Sequence, residues 1–82
     1  MITIGLADMI GGSRVTEREA EVLGYAARGF TSEQTAIILF LSVETVKHHR
    51  KQAIAKLYAA NTTHAVALAA RDGLIDLDEL LE

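Results

Sequence analysis

The sequence predicts an all-α domain of four helices, bundle-like, with a helix-turn-helix at its centre. Three observations carry that prediction. The chain contains no proline and is rich in alanine, which favours helix over sheet. Apolar residues recur at helical spacing in four successive segments. A polar residue able to cap a helix stands ahead of each segment.

Thr16 followed by Glu19 has the spacing of a capping box, in which hydroxyl and carboxylate each meet a backbone N–H at the start of the first helix. Val15, Val22, Leu23, Ala26 and Ala27 form its buried stripe, and Gly29 stands where a left-handed C-cap belongs, so this helix ends near Arg28. Thr31 or Ser32 caps a short second helix running to about Phe40, with Ala36, Leu39 and Phe40 buried. Ile37 and Ile38 make it apolar nearly all round. They read as core, with the N-terminal segment folded over them, the alternative being an exposed patch that binds a partner.

Ser42 caps the third helix. Val43, Val46, Arg50, Ala53, Ile54 and Leu57 follow one stripe, with Arg50 its single polar interruption. Glu44, Lys47, His48, Lys51 and Ala55 follow a second stripe well away from the first. Thr62 or Thr63 caps a fourth helix with small apolar residues at Ala65, Val66, Leu68, Ala69 and Ala70, closed by Asp72-Gly73. The domain thus spans 14–75, between an apolar leader at 1–13 that hinges on Gly11-Gly12 and an acidic extension at 76–82.

Composition narrows the function. Eighty-two residues make one domain. The absence of cysteine excludes disulfides, thiolate metal sites and cysteine nucleophiles. No apolar run reaches the roughly 20 residues that span a bilayer, and the leader has no basic start, so the expected location is the cytoplasm with no membrane partner. No glycine-rich phosphate loop, catalytic carboxylate pair or nucleophile elbow is present, so no catalysis and no cofactor is expected. His48 and His49 diverge by ~100° around a helix, and only the isolated His64 could join them, so no metal site is expected.

The net charge of −3 argues against nucleic acid, but its distribution does not. Residues 45–71 hold five cations (Lys47, Arg50, Lys51, Lys56, Arg71) and no acid, while residues 72–82 hold five acids and no cation. A local basic block matters more for phosphate contact than the average. The tight connection at Leu41-Ser42 makes the second and third helices cross steeply, so the third can enter a major groove. Lys47, His48 and Lys51 are placed to reach base edges there. Thr45, His49 and Arg50 lie to the side, toward phosphates, joined by N–H groups at the starts of the second helix, at Ser32, and of the third.

Residues 15–75 resemble the LuxR/GerE-type helix-turn-helix domain. The resemblance rests on Thr16-Glu17-Arg18-Glu19, Glu21-Val22-Leu23, Ala27, Gly29, Ala36, Leu39, Leu41-Ser42, Thr45-Val46-Lys47, His49, Lys56-Leu57, Asn61 and Ala65-Val66. It implies a winged-helix-like domain without the wing that binds double-stranded DNA as a homodimer and regulates transcription. The third helix would read the major groove. The fourth would form the dimer; its small-residue stripe of Ala65, Val66, Ala69 and Ala70 reads as that seam, the alternative being internal packing. Such domains usually accompany a receiver or ligand-binding domain; here a stand-alone domain is expected.

The chain departs from the family pattern at four places. Gln34-Thr35-Ala36 replaces Glu-Ile-Ala, Tyr58-Ala59 replaces Gly-Val, Thr62 replaces arginine, and Ile37-Ile38 replaces polar residues. Without the glycine stop at Tyr58, the third helix is expected to run on. Two rival readings stand beside this one, the first from another class and the second keeping the helix-turn-helix. One is an interaction module that pairs with RNA polymerase or a larger regulator through the fourth helix or Ile37-Ile38. The other is a sigma region 4-like domain, whose sequences are similar through residues 16–57.

Overall fold

The computed structural model describes residues 14–76. The leader at 1–13 and the acidic extension past Asp76 lie outside the described residues. Four helices follow one another: α1 (Glu17–Ala27), α2 (Ser32–Leu39), α3 (Val43–Lys56) and α4 (Thr62–Arg71). No strand occurs among the described residues.

Each helix opens on a side chain that captures a backbone N–H three residues on. Thr16 and Glu19 form the expected capping box, at 3.1 Å and 2.9 Å. Thr31 and Gln34 form a second, at 3.0 Å and 2.9 Å, so glutamine fills the place of a capping glutamate. Ser42 Oγ accepts from the Thr45 N–H at 3.0 Å. The cap of α4 is Asn61, whose Oδ1 accepts from the His64 N–H at 2.9 Å. This corrects the expectation of Thr62 or Thr63: the amide of Asn61 reaches the third N–H from extended backbone, and both threonines fall inside the helix.

Each helix also closes in the same way. A left-handed residue follows its last turn, and the next N–H turns back to the carbonyl five residues earlier: Phe30 to Tyr25, Leu41 to Ala36, Ala59 to Ile54 and Leu74 to Ala69. At two closures the left-handed residue is Gly29 (φ 88°) or Gly73 (φ 76°); at the other two it is Phe40 (φ 58°) or Tyr58 (φ 55°). The third helix therefore stops at Lys56 rather than running on. Tyr58 takes the conformation that glycine adopts at no steric cost, at about 1–2 kcal/mol of strain.

Packing divides the interior in two. Leu23 of α1, Ala53 of α3 and Ala65 and Ala69 of α4 form one buried cluster, edged by Ile54, Leu57 and Ile75. Val22, Ala36 and Val46 form the other, edged by Leu39, Leu41 and Val43. Only one side of α2 joins it. Ser32, Thr35 and Ala36 are buried, and the Thr35 hydroxyl donates to the Thr31 carbonyl at 2.9 Å.

Ile37, about 100° further around the helix than Ala36, consequently points outward. It is 76% exposed, Ile38 39% and Phe40 93%. The expectation that Phe40 is buried is corrected, because α2 docks on too narrow a side to cover it; the N-terminal segment expected to fold over Ile37 and Ile38 lies outside the described residues.

Candidate nucleic-acid interface

The third helix separates its two stripes cleanly. Val46 and Ala53 are fully buried, whereas Lys47, His48 and Lys51 are exposed. Helical periodicity sets Lys47 and Lys51 one turn apart on the same outer side, with His48 beside them. The Ser42 hydroxyl donates to Thr45 Oγ1 at 2.8 Å, which orients the half-buried Thr45 at the start of the helix. His49 is half-buried, its ring 6.2 Å from that of His48.

Arg50 differs from the other cations. It sits on the inner stripe between Val46 and Ala53, and its Nε and Nη2 are buried without a hydrogen-bond partner among the described residues. Ser32 is also buried. Little of its side chain is exposed, so what α2 offers a phosphate at this position is chiefly the backbone N–H of its first turn.

The basic block is narrower than its count suggests. Lys56 Nζ donates to both carboxylate oxygens of Glu19, at 2.9 Å and 3.0 Å. Arg71 pairs with Asp72 at 2.8 Å. The cations of residues 45–71 outside these pairs are Lys47, Arg50 and Lys51, all on α3. Sequence reasoning missed the role of Lys56. The available signal was its position beside Ala53 and Leu57 on the stripe that packs inward.

Burial raises the Glu19 carboxyl, but the hydrogen bond from the Thr16 N–H and the adjacent Lys56 ammonium outweigh it and hold the group below its ordinary value. Glu19 thus remains ionised and completes both the cap of α1 and the tether of α3.

Ala65 and Ala69 are fully buried against Leu23 and Ala53. For these two the alternative of internal packing holds in place of the dimer seam, because the chain's own core occupies them. Val66 and Ala70 are half-buried, and Thr63, Ala67 and Arg71 are exposed on the same helix. No group of three or more potential metal-ligating side chains occurs among the described residues. No helix described is long and apolar enough to cross a membrane.

A short helix, a sharp turn and a longer helix with a basic outer side define a helix-turn-helix module that binds DNA. Residues 13–69 match the family described as bacterial regulatory proteins, luxR family, and the chain belongs to that family. The match includes α4 as far as Ala69, the element on which this reading and a sigma region 4-like one differ.

The quorum sensing-dependent transcriptional regulator RpaR of Rhodopseudomonas palustris is 48% identical over 65 residues, covering 79% of this chain and 27% of that protein. The transcriptional activator protein BjaR1 of Bradyrhizobium diazoefficiens is 41% identical, covering 78% and 26%. The regulatory protein SdiA of Escherichia coli is 42% identical, covering 73% and 25%. The chain spans about a quarter of the length of these relatives. No solved structure matched. The chain is thus a LuxR-family DNA-binding domain.

Proposed function

We propose that this chain reads a specific duplex sequence as a homodimer in the cytoplasm, with α3 in the major groove. Lys47, His48 and Lys51 donate to base edges. Thr45, His49, the Ser32 N–H and the outer edge of Arg50 hold the phosphate backbone. The observation that carries the reading is the division of α3, which anchors Val46 and Ala53 in the core and leaves Lys47, His48 and Lys51 free on the outside. The dimer forms through the outer side of α4, at Val66 and Ala70 with the exposed Ala67. Once on DNA, the chain acts on RNA polymerase or on a larger regulator bound nearby.

Selection of bound sequences from a random duplex pool tests this reading. A two-fold symmetric motif is expected, with affinity that falls steeply as salt rises because cations are released from the phosphates. Absence of any enriched sequence, or binding at low salt that is indifferent to added salt, would overturn it.

A further inference from the structure

The five cations of residues 45–71 are held in three different ways. Lys56 and Arg71 are tied to Glu19 and Asp72. Lys47 and Lys51 stand exposed. Arg50 is turned partly inward, with Nε and Nη2 buried and neither donating to an acceptor among the described residues. No ion pair among those residues includes it. Nε and Nη2 form one side edge of the guanidinium, a pair of parallel N–H donors that matches two oxygens of a carboxylate or a phosphate. A complete two-donor edge is therefore unused, not a stray atom.

That pose costs stability, because two donors have left water without gaining an acceptor. A long arginine usually avoids the cost by laying its stem on apolar surface and keeping its head in water. Arg50 is placed to do so. Helical geometry sets it about 40° around α3 from Val46 and about 60° from Lys47, at the border between the buried side and the outer one. Rotation about its side-chain bonds brings the head out, and no helix has to move. Nε and Nη2 give up no hydrogen bond in leaving. Lys56 and Arg71 would each have to abandon a carboxylate.

We propose that Arg50 is a clamp for one phosphodiester of the duplex, turned inward in the unbound chain and outward on binding. Nε and Nη2 then each donate to a phosphate oxygen. The clamp rests on the reading that α3 lies in the major groove, because the groove sets a sugar-phosphate strand beside the border of the outer side. It adds a linkage to that reading. One side chain lowers the stability of the unbound chain and strengthens the complex.

The test compares the full wild-type chain with Arg50→Leu and Arg50→Lys on a duplex carrying the selected site. Leucine continues the inner stripe without a buried donor, so Arg50→Leu is expected to melt several degrees above wild type. It should bind about tenfold more weakly, by a similar factor on an unrelated duplex. Its affinity should also fall less steeply with salt, by about one unit of logarithmic slope, since one phosphate is no longer neutralised. Arg50→Lys keeps the charge and should keep the wild-type slope, but it binds less tightly because an ammonium cannot present two parallel donors. In wild type the Nε–H proton resonance of Arg50, identified by its absence from Arg50→Leu, should move downfield when DNA is added.

An Arg50→Leu that melts below wild type overturns the clamp, since the guanidinium then has a partner in the unbound chain. So does a wild-type salt slope in Arg50→Leu, or an Nε–H resonance that stays in place on DNA. Either result leaves α3 as the reading helix. Failure of wild type to bind any duplex brings down the DNA reading and the clamp together.

Discussion

Lys56 Nζ lies 2.9 Å and 3.0 Å from the two carboxylate oxygens of Glu19, which ties the last turn of α3 to the first turn of α1. Their side chains are 14% and 6% exposed, so the pair is shielded from the water that weakens surface ion pairs. Glu19 also accepts from the Thr16 N–H at 2.9 Å. One carboxylate therefore fixes where the first helix begins and how α3 is held against it.

Glu19→Gln is expected to cost about 3 kcal/mol, because it leaves the Lys56 ammonium shielded and without its counter-charge. The Glu19 carboxyl is held below its ordinary value in the folded chain. Its contribution is then complete above the unfolded value of about 4.3 and is lost as pH falls through the folded value. Denaturant melts from neutral to strongly acid pH should show wild type losing stability over that window and Glu19→Gln losing less of it. Parallel acid profiles would rule the carboxylate out as the source.

Lys47→Ala and Lys51→Ala are each expected to weaken specific binding by roughly 1–3 kcal/mol and to relax selectivity at the bases they face. Lys56→Met should instead lower the melting temperature while leaving the affinity of the folded protein for DNA near wild type. Gel-shift titrations beside thermal melts separate the two effects. If both lysine variants bind the selected site as wild type does, the reading side of α3 is misassigned.

Tyr58→Gly should stabilise the chain by about 1 kcal/mol, since the strain relieved exceeds the backbone freedom that glycine adds to the unfolded chain. Gly29→Ala should do the opposite. Nothing lies within 4 Å of a methyl group built at Gly29, so its φ of 88° is the sole source of the cost. A gain of several degrees in melting temperature for the first and a loss for the second is the expected pair of results. A destabilised Tyr58→Gly would mean that the ring contributes more to the fold than its exposure indicates.

Asn61→Ala is expected to cost about 1 kcal/mol by releasing the His64 N–H. Thr62→Ala and Thr63→Ala should cost less, because neither hydroxyl caps α4. Urea melts of the three variants would identify the cap directly.

The parts of this fold that could be read from sequence are those whose bonds span three or four residues. Thr16 with Glu19, Gly29, Ser42 and Gly73 each act on backbone within one turn, and each stands where its spacing put it. Asn61 escaped because three candidate caps stand in a row, and only the extended backbone at the first decides between them.

Burial was less legible because it depends on which segments meet. Ile37 and Phe40 look like core on a short apolar helix, but α2 docks along the side that carries Ser32, Thr35, Ala36 and Leu39. Ala65 and Ala69 look like a seam until Leu23 is found against them. Glu19 and Lys56 are 37 positions apart, and nothing local to either announces the other. At the interface, the outward stripe of Lys47, His48 and Lys51 was legible because one helix carries it whole. Arg50 interrupted the inward stripe visibly, and the structure keeps it there.

Four helices that each begin with a bond to the third residue on, and each end with a bond to the fifth residue back, have a consequence for kinetics. Almost everything that defines the limits of α3 lies between Ala36 and Ala59. Little chain must be closed into a loop before those bonds form, so low contact order favours rapid folding. If α3 frays at either end, it recovers its boundaries on the time of helix–coil relaxation, about a microsecond.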